Sequence, residues 1–388
     1  MNLIARPLRL LFILATTTLA LAPIGVAAQG FDTKARFAVL MDAQSGMLLF
    51  HKSPDERMEP ASMAKLMTLA VVFNRLRAGA FALTDEFSIS EHAWRTGGAA
   101  SGGSTMFADL NSRIPVETLI RSVIVQSGND AAIALAEGVA GSEETFAQME
   151  NQLAGEIGLT NSNFANATGL PDPDQYVTAR DLGTLARYLV DNFPEYYHYF
   201  SEAEMEWNGI KQANRNSLVE TGLGVDGLKT GHTEASGYGT VVSTPEGGRR
   251  LIAVLHGLTS MRERAEEARK LITWGIRSFD RIAAFPEGKM VGYADVYGGA
   301  EGAVGLVGKG AIDLFVPKGS KDCPQASIVY NGPLRPPVQQ GAQVAELRVM
   351  CDGTLVQVAP LFAAQTVEDG DLVRKATDAL KHLIIGWI

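Results

Sequence analysis

The sequence predicts an α/β (α+β) domain, then a small all-β domain, then an amphipathic helix at the C-terminus. Three observations predict it. Apolar residues recur at helical spacing through residues 62–189, short strand-like runs flank that stretch on both sides, and the chain becomes Gly-rich and strand-like after Pro286. Strands from both ends of a region with helices between them suggest that the ends share one sheet, an order that excludes a simple βαβ repeat. At 388 residues, 46% hydrophobic and 20% charged, the chain is long enough for two or three packed domains and too apolar for intrinsic disorder.

Taken in order, residues 1–28 carry Arg6 and Arg9, an apolar run over 10–22 and no acidic residue. With Val26-Ala27-Ala28 placing small residues at the −3 and −1 positions, this reads as an export signal cleaved after Ala28. Residues 36–51 pattern as a hairpin around Asp42-Ala43-Gln44-Ser45-Gly46. Met63, Leu66, Met67, Ala70, Val71 and Leu76 predict a buried helix over 62–77, and further helices are expected over 116–125, 130–139, 143–157 and 179–189. Strands return over 225–230, 238–243 and 251–255, with a turn at Pro245-Glu246-Gly247-Gly248, before a closing helix over 260–279. Residues 311–316 and 343–349 read as strands of the small β-domain. Cys323 and Cys351 lie in it; after export they either pair or stay as two buried thiols, since spacing alone does not give the Cα separation a bridge requires.

The last segment places Leu372, Val373, Ala376, Ala379, Leu380, Leu383, Ile384 and Trp387 on one helical face, with Arg374, Lys375, Asp378, Lys381 and His382 on the other. At this length and charge it suits a membrane interface or the protein's own body, not a span. Lys+Arg of 34 against Asp+Glu of 43 gives a net charge of −9, which disfavours nucleic acid as a partner. His51, His92, His198, His232, His256 and His382 show no ligand-like spacing, so no metal site and no cofactor is expected.

Three short strings carry the chemistry: Ser62-Met63-Ala64-Lys65, Ser127-Gly128-Asn129 and Lys229-Thr230-Gly231. Ser62 and Lys65 are one helical turn apart on one face, so an amine can reach a hydroxyl. The free N–H groups of that first turn favour developing negative charge, as an oxyanion hole requires. Ser127 could relay a proton, Asn129 could hold a substrate amide, and the strand ending in Lys229-Thr230-Gly231 could pair with an extended peptide. In this order the trio is a signature of penicillin-binding proteins and serine β-lactamases.

Together with Glu59-Pro60-Ala61, Asn208-Gly209-Ile210, Asn214-Arg215-Asn216, Val225-Asp226-Gly227 and His232-Thr233, the chain resembles the serine-type D-alanyl-D-alanine carboxypeptidases, low-molecular-mass penicillin-binding proteins of the 5 and 6 type. The resemblance implies a penicillin-binding/serine β-lactamase-like transpeptidase fold. The chain divides accordingly into a signal peptide (1–28), a catalytic domain (29–280), a small β-sandwich-like domain (281–364) and a membrane-associating helix (365–388). It further implies acylation of Ser62 by peptidoglycan stem peptides ending in D-Ala-D-Ala, or by β-lactams. Lys65 would be the base, its pKa lowered by the charge of Lys229, and Ser127 and Asn129 would line the cleft. His232 would lend a backbone N–H to the oxyanion, and Thr230 with Arg215 or Arg250 would meet the terminal carboxylate. A periplasmic enzyme held at the outer face of the inner membrane follows from the same resemblance.

Thr168 stands before Gly169-Leu170 where the compared family member has histidine, a departure that bears on fine substrate preference. Residues 96–105, with Gly97, Gly98, Gly102 and Gly103, read as a loop either near the cleft or plainly on the surface. A β-lactamase would need a Glu-x-x-Leu-Asn string, and Glu156-Ile157-Gly158-Leu159-Thr160-Asn161 has its asparagine one place late. Endopeptidase cleavage of crosslinks and a non-catalytic wall scaffold are the alternatives.

Overall fold

The structure is a computed structural model and describes residues 31–385 apart from 247, 248 and 321. The signal expected over residues 1–28 lies outside the described residues, as does Trp387. The first unit is built on an antiparallel sheet drawn from both ends of its segment. Strands β1 (Phe37–Asp42) and β2 (Leu48–Lys52) make the expected hairpin, and β3 (Gly227–Thr233), β4 (Gly237–Glu246) and β5 (Arg249–Leu258) complete the order β2-β1-β5-β4-β3. Val39 of β1 lies opposite Val254 of β5, so the two ends of the segment are neighbours in the sheet.

Both faces of this sheet are covered, which is why its inner strands read as unbroken apolar runs. On β1, Phe37, Val39 and Met41 point into a core built with helices α1 (Lys65–Arg77), α2 (Val116–Val125), α3 (Asn129–Ala140), α4 (Glu143–Glu156) and α5 (Ala179–Asn192). Ala38 and Leu40 point the other way, onto Leu271 and Ile272 of α6 (Met261–Ser278). Helix α1 is the central rod, with Leu66, Met67, Leu69, Ala70, Val72 and Phe73 fully buried. It begins later than the spacing predicts. Ala61 takes a left-handed φ of 47°, residues Ala61–Ala64 form a 3-10 turn, and the α-helix starts only at Lys65.

Helix α6 runs straight into β6 (Phe279–Phe285), which opens the second unit. There β7 (Met290–Asp295), β8 (Ala303–Val307), β9 (Ile312–Pro317), β10 (Gln325–Val329), β11 (Gln343–Cys351) and β12 (Thr354–Ala363) follow. They form a five-stranded sheet of order β7-β8-β12-β11-β10 and a β6-β9 pair around Val304, Leu306, Leu314, Leu347, Val349 and Leu361. Cys323 and Cys351 are bridged, their Cα atoms 4.4 Å apart. Phe315 of β9 is buried in the α6-side core of the first unit, and Arg249 lies 5.3 Å above its ring. The chain closes with α7 (Leu372–Ile385).

Candidate active site

The nucleophile candidate sits where the 3-10 turn meets α1. Lys65 reaches back one turn and its Nζ lies 3.0 Å from Ser62 Oγ. The same Nζ donates to Asn129 Oδ1 at 2.7 Å and to the carbonyl of Thr168. A neutral amine has two protons and one lone pair, so with two protons committed to Asn129 and Thr168 the lone pair faces the Ser62 hydroxyl. Lys65 is fully buried, and burial pulls its pKa down to about 7. Asp130 and Glu143 oppose that shift and Arg215 adds to it. The charge of Lys229, expected to do this, is not among the causes.

Lys229 is itself buried, its Nζ donating to the Thr230 carbonyl at 3.1 Å, and burial together with Lys65 holds it well below the usual lysine range. The Lys65 charge disfavours that of Lys229, so an anionic substrate group is what would restore charge here.

The second string forms the turn between α2 and α3. Ser127 takes a left-handed φ of 67°, and its Oγ is buried with no hydrogen-bond partner among the described residues. Gly128 is required beside it, because a Cβ there would run into Ser122 Oγ. The glycine-rich segment packs on this turn: a Cβ on Gly97 would strike the Asp130 backbone, and Asp130 accepts from Thr105 Oγ1 at 2.6 Å and Met106 N at 3.0 Å. The loop therefore belongs to the cleft.

The third string lies on β3, the edge strand of the sheet. Gly231 lets β3 close on the nucleophile turn, since its Cβ would stand 3.1 Å from the Pro60 carbonyl and from Ala61 Cβ. Ser62, Ser127, Thr230, Gly231, His232 and Arg215 line one cleft of about 260 Å³ with Ser104, Tyr238, Met261 and Arg264. His232 stacks on Tyr238 with ring centroids 3.9 Å apart. Beneath, His256 Nε2 donates to the Glu59 carbonyl at 2.9 Å, and burial lowers its pKa to about 4, so it is a neutral strut.

The placement of Arg250 in the cleft is corrected. Arg250 does not line the cleft: it donates to both carboxylate oxygens of Asp226 (2.7 and 2.8 Å), to Ser243 Oγ and to Tyr197 Oη. In register it lies opposite Pro245, whereas Thr230 lies opposite Thr240, so strand length separates it from the site. The cleft arginine beside Arg215 is Arg264, which donates to the Arg215 carbonyl at 3.0 Å and is lowered to about 10, mainly by burial. Sequence reading missed it because Arg262, Glu263, Glu266, Glu267, Arg269 and Lys270 surround it with like residues. The Thr168 side chain, for its part, does not enter the cleft. Its Oγ1 donates to Asn166 Oδ1 at 2.8 Å, and only its carbonyl faces Lys65.

A serine hydroxyl under a buried lysine, a second serine opposite and an edge strand ending in Lys-Thr-Gly define the class of active-serine acyl-transfer enzymes. The comparisons narrow the class. Residues 24–259 match the D-alanyl-D-alanine carboxypeptidase family, and residues 279–369 match the penicillin-binding protein 5 C-terminal domain. D-alanyl-D-alanine carboxypeptidase DacC of Escherichia coli (strain K12) is 38% identical over 380 residues, 97% of this chain and 94% of its own. DacA of the same strain is 35% identical over 352 residues, 90% and 87% of the two chains. The crystal structure of penicillin binding protein 5 from Haemophilus influenzae has a TM-score of 0.74 at 35% identity, covering 88% of this chain and 99% of that one. The carboxypeptidase DacD of Francisella tularensis gives 0.70 at 28%, covering 92% and 99%. The chain belongs to the D-alanyl-D-alanine carboxypeptidase family and is a serine-type peptidase with a penicillin-binding-protein fold.

Proposed function

We propose that the enzyme removes the terminal D-alanine from peptidoglycan stem peptides through an acyl-enzyme at Ser62. The observation that carries this reading is the buried Lys65 amine 3.0 Å from Ser62 Oγ, in a cleft with Arg215 and Arg264 and, among the described residues, no acidic lining residue. Lys65 takes the Ser62 proton as Oγ bonds to the carbonyl carbon of the penultimate D-alanine. Backbone N–H groups of Ser62 and His232 steady the oxyanion. As the tetrahedral species collapses its C–N bond breaks, and the proton passes by way of Ser127 Oγ to the departing amine. Water then adds to the ester as Lys65 takes its proton, and Lys65 returns that proton to Ser62 Oγ as the acyl C–O bond breaks and the shortened peptide leaves. Asn129, whose Oδ1 accepts from Lys65, offers its Nδ2 to the carbonyl of the peptide amide. Thr230, Arg215 and Arg264 hold the terminal carboxylate, near which Lys229 regains its charge. A β-lactam carbonyl attacked by the same Oγ leaves a covalent adduct. Mass spectrometry of the intact protein after penicillin treatment tests this: one adduct on the native chain, none on Ser62→Ala.

Export to the periplasm and attachment to the outer face of the inner membrane complete the proposal. No described helix is long and apolar enough to cross a membrane. Support for an interfacial role comes from α7: Asp378 accepts from Gly298 N at 3.0 Å, so its polar side is turned to the β-domain, while Leu372 and Val373 are 86% and 74% exposed. Deleting residues 371–388 moves the mature enzyme from the membrane to the soluble fraction and spares hydrolysis of small peptides; retention in membranes contradicts it.

A further inference from the structure

Glu150 of α4 is completely buried behind the base, and nothing in the reaction above uses it. Its Oε1 lies 2.9 Å from the hydroxyl of Thr68, which sits one turn beyond Lys65 on α1, and that hydroxyl lies 2.8 Å from the Ala167 carbonyl. Thr68 has one proton and two oxygens that would accept it. An ionised Glu150 would leave one of those contacts without a proton, and its Oε2, buried with no partner among the described residues, would hold uncompensated charge. A carboxylic acid protonated at Oε1 resolves both, since it donates to Thr68 and Thr68 donates to Ala167. Burial and the Glu143 charge also hold the Glu150 carboxyl above the usual range, against the Thr68 bond.

Helix α4 grips this segment at two further points. Glu143 Oε1 accepts from Ala167 N at 3.0 Å, and Asn151 exchanges hydrogen bonds with the Phe164 backbone at 2.7 and 2.9 Å. The carbonyl after Ala167 is that of Thr168, which accepts from Lys65. We propose that Glu150 is a positioning residue: as a neutral acid it donates through Thr68 to the Ala167 carbonyl and so fixes the Thr168 carbonyl that aims the Lys65 lone pair at Ser62. This rests on the reading of Lys65 as the base.

The test is the second-order rate of Ser62 acylation by a fluorescent penicillin, measured on the full mature chain from pH 5 to 9. The charges acting on Lys65 are Asp130 from α3 and Glu143 from α4, which favour its ammonium form, and Arg215, which disfavours it; Lys65 in turn disfavours the charge of Lys229 on β3. None of these is altered. Glu150→Gln swaps one neutral donor for another, so the rate stays within about twofold and the acid-limb midpoint does not move. Glu150→Met removes the donor. The plateau rate falls about tenfold or more, and the midpoint moves to lower pH, because the ammonium form loses an aligned acceptor. Thr68→Val reproduces both effects and Thr68→Ser neither, which keeps the test intact if Glu150→Met does not fold. A midpoint lowered as far in Glu150→Gln as in Glu150→Met would mean an ionised Glu150 and overturns the proposal, as do Glu150→Met and Thr68→Val with native rates and profiles. If the native chain is not acylated at Ser62, the proposed function falls and this inference with it; native acylation beside indifferent variants overturns this inference alone.

Discussion

Lys65 owes its chemistry to where the chain buries it. A lysine in water is a poor base near neutrality, whereas burial brings Lys65 to about 7, so roughly half is neutral at that pH. Only the neutral form can accept the Ser62 proton. Acylation should therefore rise with pH through an acid limb centred near 7 and fall about tenfold per unit below it, as stopped-flow acylation across pH would show; a limb centred near the ordinary lysine value contradicts it. The two arginines separate by their neighbours. Arg264→Ala should raise KM for a peptide ending in D-Ala-D-Ala about 10- to 100-fold, the loss of a charged hydrogen bond, with little change in melting temperature. Arg250→Ala should do the reverse: KM stays, and stability drops by about 1–2 kcal/mol as Asp226 loses its guanidinium counter-charge and keeps only the Tyr197 hydroxyl.

At the scale of elements, the site depends on close approach of three turns. Gly169, at φ 79°, is pressed against the Ala61 carbonyl, with no room for a Cβ. Gly169→Ala should cost about 2 kcal/mol or more and slow acylation, because the 164–168 segment and the nucleophile turn must part; denaturant titration beside the penicillin rate checks both. Much of this scale was legible. Helical spacing marked α1 to α6 because each presents an apolar face, and strand runs from both ends foretold the shared sheet. The motif residues were legible because Ser62 and Lys65 are neighbours on one turn. What was not legible came from long-range packing: Arg264 arrives from α6, the Thr168 carbonyl is backbone, and Glu150 reaches Thr68 across 82 residues of sequence. Arg250 was misplaced because strand register, which sets its distance from Thr230, is not written in local composition.

In the whole molecule, the two units are joined by packing as well as by chain. Phe315 enters the core beside α6, while within the second unit Gln357 of β12 accepts from the Phe315 N–H and donates to the Asp313 carbonyl, which holds the β6-β9 pair against the β-domain's own sheet. The Cys323–Cys351 bridge closes its loop entirely within the β-domain, so replacing both with Ser should lower that unit's stability by about 2–4 kcal/mol and leave the penicillin rate unchanged. Calorimetry with parallel labelling would separate the two effects. The central claim concerns Ser62 and Lys65, and its most direct test is release of free D-alanine from a soluble peptide ending in Lys-D-Ala-D-Ala. The native mature enzyme should release one D-alanine per peptide, and Ser62→Ala should release none. Release that persists in Ser62→Ala, or a native enzyme that releases nothing, contradicts the account.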